Sequence, residues 1–463
     1  MDYRGRRTDW SNRTIKKKQG IMDNTQYYRP IQYLGAKTRA ISTIIDKCLQ
    51  LYRPETYVID MFSGSSVVSQ SFYKHGMNVI ANDVMAFCSD IASCVLDQGR
   101  NKYSENAISD FLKDFKNFNL QEKYTRTFEQ GIAEEEHLLA SLDLKGLKSL
   151  YDRFPQMGNE RELTPQIDYI SQHLNMSAIG DCPLIANYYA GSYFGIKQAL
   201  HIDTLRTYIE MKFRENKDEW MYHLLLTALY NTCSIIVHSA GKHFAQPIQI
   251  TDLDESKITN IRLFENRGYN VFNVFEECVN NLLSLQQKSN TDSQSLALNM
   301  DICSGDFLNS LRGKNVSVIY ADPPYTAQQY SRFYHIPEVL HNYQYPQLQI
   351  FRGRVTQGLY PKGKYKSPFC SKTKVKQGFE RMFEIVRDKQ SHFMLSYSES
   401  KKKETGNERM ITLEQILNLA HRIIPNYSVT QIDFDFDYRQ LNKKNSIVDN
   451  KEDKEFLITF ERQ

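Results

Sequence analysis

Val316-Ser317-Val318-Ile319-Tyr320-Ala321-Asp322-Pro323-Pro324-Tyr325 joins an apolar, β-branched run to a stiff acidic loop. The run reads as a strand, and it delivers Asp322 at its carboxyl end, where open α/β sheets place ligands. Two consecutive prolines stiffen the backbone and withhold two N–H donors. Their preceding carbonyls are left beside the Asp322 carboxylate, an acceptor-rich arrangement suited to an –NH2 group. Tyr325 adds a face on which a planar ring can stack, an interaction worth about 1–3 kcal/mol per base in single-strand binders.

Upstream, Ala40, Ile41, Ile44, Ile45 and Leu49 recur at helical spacing. Tyr57-Val58-Ile59 then reads as a buried strand ending at Asp60, Ser63-Gly64-Ser65 as a turn, and Ser66 to Lys74 as a helix. Asn78 to Ala81 is a second strand, ending at Asn82-Asp83 and followed by a helical stretch through Leu96. Strand and helix in this alternation predict a parallel sheet covered by helices. In Asp60-Met61-Phe62-Ser63-Gly64-Ser65 the glycine lets backbone approach a ligand, and the following helix N-terminus favours an anion. Asp83 is placed to accept from ribose hydroxyls, or to cap the next helix. In Ser304-Gly305-Asp306-Phe307 the Asp306 carboxylate stands at a sheet edge, where it could accept from the amino group of an adenine.

Residues 101–300 are helical in character, as in Glu134–Tyr151 and Lys217–His238, with polar loops such as Ser289–Ser295. The alternation returns at Asp301, with Phe393–Tyr397 as a further strand and a closing hairpin from Val429–Phe436 and Glu455–Phe460. The simplest architecture is an α/β catalytic domain over 25–100 and 301–463, interrupted by a mainly helical insertion at 101–300. Residues 1–24 are polar and basic and read as a flexible leader.

Hydrophobic content of 41% suffices for a full core, and no apolar run approaches the ~18 residues of a membrane span. Without a secretory h-region after the basic start, the expected location is the cytoplasm. Eight cysteines are spread widely without CxxC or zinc-like spacing, which argues against a disulfide framework or a metal site. Net charge is only +4, yet Phe351–Lys376 carries Arg352, Arg354, Lys362, Lys364, Lys366, Lys372, Lys374 and Lys376 with no Asp or Glu. Clustered cations interleaved with Phe351, Tyr360, Tyr365 and Phe369 can hold a polyanion on a nearly neutral chain.

The ordered segments Tyr33-Leu34-Gly35-Ala36-Lys37, Asp60-Met61-Phe62-Ser63-Gly64, Asn82-Asp83, Gly305-Asp306-Phe307 and Asp322-Pro323-Pro324-Tyr325 resemble the motifs of the Dam-like (D12 class) N6-adenine-specific DNA methyltransferases, restriction-modification type. The resemblance covers roughly residues 28–100 and 300–400. It implies the class I S-adenosylmethionine-dependent methyltransferase fold, Rossmann-like, with a mostly parallel sheet and a C-terminal antiparallel hairpin. S-adenosyl-L-methionine is the implied cofactor, contacted by Tyr33, Lys37, Asp60, Phe62, Gly64, Asp83, Asp306 and Asp322. Asp322, Pro323, Pro324 and Tyr325 are the implied catalytic loop. The insertion falls where that family carries its target-recognition region. Tyr33 stands where members usually have Trp, and the first glycine motif is poorer in glycine than many. Tyr189-Ala190-Gly191-Ser192-Tyr193-Phe194-Gly195 and Gly241-Lys242-His243-Phe244-Ala245-Gln246-Pro247 look like segments of larger members, without an assigned role.

The implied substrate is double-stranded DNA, with a cognate restriction endonuclease or defence-system partner as a family-level expectation and no membrane. Reaching N6 inside a duplex requires extruding the adenine, and phosphate contacts from Arg352, Arg354, Lys362, Lys364 and Lys366 would help offset that cost. The neighbouring alternatives are N4-cytosine methylation, usually with Ser in place of Asp322, and guanine-N2 methylation of ribosomal RNA by more compact enzymes. C5-cytosine chemistry needs a thiol, usually in a Pro-Cys pair that this chain lacks. A catalytically dead DNA-binding module is the non-enzyme alternative. His335 invites a general-base role, but an N6 proton made acidic by methylation can leave to water, which favours a structural or phosphate-contacting His335.

Overall fold

The alternating strands and helices form, in the computed structural model, a seven-stranded sheet. The structure describes residues 28–29, 31–96, 105–116, 120–157, 164–180, 182–213, 215, 217, 220–254, 256–286, 294–399, 408–434 and 455–463. The chain divides into two units. A sheet unit takes in 33–100, 286–334 and 364–463, and a helical unit takes in the residues up to Gln32, 101–285 and 335–363.

The sheet unit holds β1 (Tyr57–Asp60), β2 (Asn78–Asp83), β3 (Leu296–Asn299), β4 (Val316–Ala321), β5 (His392–Ser398), β6 (Tyr427–Asp433) and β7 (Glu455–Arg462). Their spatial order is β3-β2-β1-β4-β5-β7-β6. The first five pair in parallel, and β7 runs antiparallel between β5 and β6. Among its helices are α1 (Ile41–Leu51), α2 (Val67–Lys74), α3 (Ala86–Val95), α4 (Gly305–Ser310), α5 (Val375–Lys389) and α6 (Leu413–Ile423). This is the fold class that the alternation and motifs predicted.

Every residue of β4 is buried, as a central parallel strand covered on both faces requires. Val375, Phe379, Met382, Phe383 and Val386 line one face of α5 at helical spacing and join Ile319, Phe393 and Phe460 in one core cluster. Thr412 and Gln415 close a capping box at the start of α6. Order and register together position the site. From β1 the chain adds β2 and β3 on one side and β4 on the other, so the switch point lies between β1 and β4. Asp60 stands opposite both Ala81 and Tyr320. Asp60, Asp83 and Asp322 therefore reach the same edge of the sheet, at the carboxyl ends of three adjacent strands.

Several boundaries differ from the sequence reading. A strand, β3, lies at Leu296–Asn299 inside the stretch read as mainly helical. Glu134–Tyr151 is not one helix. Leu120–Ser141 stops at Leu142, whose φ of 57° is left-handed, and Asp143 then caps Leu144–Arg153 by accepting from the Gly146 N–H. Residues 435 and 436 of the expected hairpin, the basic leader and Lys401-Lys402-Lys403 lie outside the described residues.

In the helical unit, Asp203 is buried and accepts from the Ile185 and Ala186 N–H groups and from the Tyr343 hydroxyl. Arg206 pairs with Glu210 at 2.7 Å and donates to the His341 carbonyl. Tyr345 donates to the Cys182 carbonyl, and Tyr188 donates to the Pro346 carbonyl. These buried polar ties hold 335–363 within this unit, although in sequence that segment follows the acidic loop.

Candidate active site

A cavity opens at the carboxyl edge of the sheet, and all the residues lining it belong to the sheet unit. Tyr33, Gly35, Lys37, Asp60, Phe62, Gly64, Asp83, Asp322 and Pro324 are among them. Residues scattered over nearly 300 positions converge there because three adjacent strands and the segment before α1 end at one point.

Asp83 accepts from the Gly64 and Met85 N–H groups, both at 2.9 Å. It therefore braces the glycine turn and the entrance to α3 at once. Burial pushes its carboxyl up to about 6, with these two N–H groups pulling the other way. Asp60 accepts from the Ser69 hydroxyl at 2.6 Å, and burial drives it to about 7. Asp60 Oδ1, Ser63 Oγ, Ser66 Oγ and Asn82 Oδ1 are buried without a hydrogen-bond partner in the protein. Unsatisfied buried polar atoms are costly, and a run of them beside one cavity suits a polar ligand.

Gly64 has a φ of 49°, and a Cβ there would fall 2.6 Å from Cε1 of Tyr33. That ring stacks on Tyr334 at 4.7 Å, and Tyr330 lies 5.6 Å away. Tyr334 accepts from the Leu34 N–H at 2.7 Å and Tyr330 donates to the Leu34 carbonyl at 3.2 Å. The two tyrosines clamp the segment carrying Tyr33 and Lys37. Phe62 packs edge-on against Phe369 at 5.2 Å.

Lys37 Nζ lies 2.7 Å from Asp322 Oδ2 and 3.0 Å from Glu455 Oε1, and it donates to the Gly35 carbonyl. Burial disfavours the ammonium, but the Asp322 and Glu455 carboxylates outweigh it and hold Lys37 well above its ordinary range. Burial lifts Asp322 to about 6, while Lys37 lowers it and Glu455 raises it. Pro323 is buried, and Tyr325 meets Tyr397 edge-on at 6.1 Å. The Arg409 guanidinium sits 4.8 Å over the Tyr325 ring, held by the Ser398 carbonyl and hydroxyl.

Asp306 is not brought to this cavity. It sits exposed in the first turn of α4, and Asp301, just past β3, lines the cavity instead. The Tyr365 hydroxyl donates to Asp301 Oδ2 at 3.1 Å. Sequence reasoning missed Glu455, Asp301, Tyr365 and Arg409, which come from remote segments without a motif. Only the position of Asp301 just after an apolar strand offered a signal.

The basic stretch is not a single loop. Arg352, Arg354 and Lys362 belong to the helical unit, whereas Lys364 and Lys366 belong to the sheet unit. Ile350–Phe351 and Arg354–Val355 form a two-stranded ribbon, turned at Arg352 and Gly353 with φ of 51° and 76°. Its Ile350 and Phe351 are 64% and 62% exposed, and Arg352 lies over the Phe351 ring at 5.3 Å. Burial, Lys366 and Arg332 lower the Lys364 ammonium, which marks a cluster of cations.

His335 is buried in the helical unit, ringed by Tyr189, Tyr193 and Tyr360 at 5.8, 5.8 and 5.2 Å. The two unassigned motif segments meet around it. Tyr193 donates to the Phe244 and Gly358 carbonyls, and Tyr360 donates to that of Ala245. Lys242 donates to the Ile235 and Val237 carbonyls, satisfying the end of helix Trp220–Ile236. These contacts are structural. Among the described residues no group of His, Cys, Asp and Glu could hold a metal ion, and no helix is long and apolar enough to cross a membrane.

Residues 33–176 match the model of the D12 class N6 adenine-specific DNA methyltransferases. The chain is 22% identical over 443 residues to modification methylase LlaI of Lactococcus lactis subsp. lactis, covering 93% of this chain and 55% of that protein. It is also 22% identical over 372 residues to type II methyltransferase M.FokI of Planomicrobium okeanokoites, covering 80% and 44% respectively. The chain spans about half the length of these curated relatives. The family named from the motifs is the one whose model matches, and the strand order is consistent with a class I methyltransferase fold.

Proposed function

We propose that this chain is a site-specific, adenine-specific DNA methyltransferase of the D12 class, modifying N6 of an adenine extruded from duplex DNA. The observation that carries this reading is the Asp322-Pro323-Pro324-Tyr325 loop at the sheet switch point. Asp322 is ion-paired to Lys37 there, beside a cavity lined by Asp60, Gly64 and Asp83. The unsatisfied polar atoms around that cavity and the carboxylates at the strand ends fit S-adenosyl-L-methionine. Bound there, it would supply an electrophilic methyl group whose carbon–sulfur electron pair stays with sulfur on transfer.

The remaining work falls to the chain's own residues. Asp83 would accept from ribose hydroxyls while bracing the turn at Gly64, and Asp301, rather than Asp306, would accept from the cofactor's adenine amino group. Tyr33 and Phe62 would pack against the cofactor. Asp322 and the carbonyl preceding Pro323 would accept the two hydrogens of N6. That arrangement favours a pyramidal nitrogen with its lone pair localised toward the methyl carbon, and the spare proton then leaves to water. Tyr325 would stack on the extruded base, with Arg409 behind its ring. A positioned electrostatic partner of this kind is worth roughly 10²–10³ in rate.

Arg352, Arg354, Lys362, Lys364 and Lys366 would neutralise phosphates, and the helical unit would choose the sequence. A nuclease partner and a cytoplasmic setting belong to the same proposal, by extension from relatives named as a modification methylase and a type II methyltransferase. The test is incorporation of labelled methyl groups into duplex DNA, followed by nucleoside analysis. Label in N6-methyladenine supports this reading. Label only in cytosine, or only in RNA, would replace it with one of the alternatives above.

A further inference from the structure

Glu455 opens β7, 133 positions beyond Asp322 in the chain, and belongs to no motif. One ammonium nevertheless serves both carboxylates. Lys37 Nζ is 2.7 Å from Asp322 Oδ2 and 3.0 Å from Glu455 Oε1, with side-chain exposures of only 4%, 19% and 8% for the three residues in the order Lys37, Asp322, Glu455. Asp322 alone would neutralise Lys37. The second carboxylate leaves the cluster with one net negative charge, and Glu455 Oε1 meets Lys37 at ion-pair distance without hydrogen-bond geometry. Burying a further charge is expensive, and Lys37 needs only one carboxylate, so the second calls for a role beyond neutralising the ammonium. The groups facing Asp322 are Lys37 from the segment before α1, Glu455 from β7, Asp60 from β1, Tyr320 from β4 and Tyr325 beside it.

Methyl transfer to an amine leaves positive charge on its nitrogen until a proton departs. Negative charge already in place beside that nitrogen stabilises the change without reorganisation. We propose that Glu455 is a positioning residue for methyl transfer: it draws the Lys37 ammonium partly off Asp322 and keeps net negative charge beside the carboxylate that receives the substrate amine. This rests on the methyltransferase reading above.

The test follows the Asp322 carboxyl carbon through a pH titration of the intact protein, labelled with ¹³C at aspartate carboxyls and assigned with Asp322→Asn. In the wild type burial lifts the Asp322 carboxyl to about 6, with Lys37 lowering it and Glu455 raising it. In Glu455→Gln the midpoint should fall by about one unit, because a like charge has been removed. At saturating DNA and cofactor, kcat should drop on the order of ten-fold, with the acid limb moved to lower pH and KM little changed. Glu455→Met, of similar volume, should reproduce the shift if the Gln variant melts early, and Glu455→Asp should stay near wild type. An unmoved midpoint, or a moved midpoint with unchanged kcat, overturns the proposal. Absence of methyl transfer by the wild type would instead defeat the parent reading, while the titration still reports on Glu455.

Discussion

Asp322 shows how little of a residue's task is visible in its local motif. Its carboxylate is fixed by Lys37 from the segment before α1 and biased by Glu455 from β7. If it orients the N6 amine, Asp322→Ala should lose at least ~10² in kcat while melting like the wild type. Normal turnover in the folded variant would sink the amine mechanism. Gly64 is constrained from two sides, by its left-handed φ and by the Tyr33 ring 2.6 Å from where a Cβ would stand. Gly64→Ala should lower stability by about 1–3 kcal/mol and weaken cofactor binding together, read by melting and calorimetry. Asp60 carries a pH signature. Its folded carboxyl is raised to about 7, so the unfolded chain releases that proton first as pH rises. Its ionisation cost is absent below the unfolded carboxyl value and fully present above about 7. Asp60→Asn should therefore gain stability relative to wild type as pH goes from 5 to 8, each unit of pKa difference being worth about 1.4 kcal/mol. A difference in Tm that stays flat across that range would contradict the assignment.

Among elements, the basic stretch is the one whose continuity in sequence misleads. Eight cations in a row read as one polyanion-binding loop, yet Arg352 and Arg354 sit on a ribbon of the helical unit while Lys364 and Lys366 belong to the sheet unit. The two sets should separate experimentally. Arg352→Gln with Arg354→Gln, and independently Lys364→Gln with Lys366→Gln, should each flatten the salt dependence of duplex binding by about 0.9 for every phosphate no longer neutralised. A pair that leaves the slope untouched is only solvated. The break at Leu142 and Asp143 carries the same lesson in a helix: leucines continue across it in sequence, but Leu142 is left-handed and exposed, and burial restarts at Leu144, Leu147 and Leu150 behind a new N-cap.

At the scale of the whole molecule, the cavity residues all lie in the sheet unit, and the helical unit carries none of them. If the labour is divided along that line, substituting exposed polar residues of the helical unit should alter which sequences are methylated. Discrimination should weaken by ~1–3 kcal/mol for each base edge that is no longer read. Cofactor affinity measured without DNA should hardly move. Site preference that instead followed only Lys364 and Lys366 would reassign the helical unit as scaffold or partner surface.

The sequence by itself determined the strands other than β3, their alternation with helices, and the residues at the strand ends, because periodicity and turn chemistry are local. Asp60, Asp83 and Asp322 could be named in advance since each closes an apolar run, and Lys37 since it stands in a motif resembling a known family. Only the tertiary structure decided that Asp301 lines the cavity and Asp306 does not. The two lie five positions apart with similar turn signals, and the difference is the start of α4, which turns Asp306 to solvent. Only it brought Glu455 and Arg409 to the acidic loop, and only it assigned 335–363 to the helical unit. Those choices rest on β7 pairing between β5 and β6, and on buried tyrosine and arginine hydrogen bonds across more than a hundred residues. Such long-range pairings leave no period in the chain to be read.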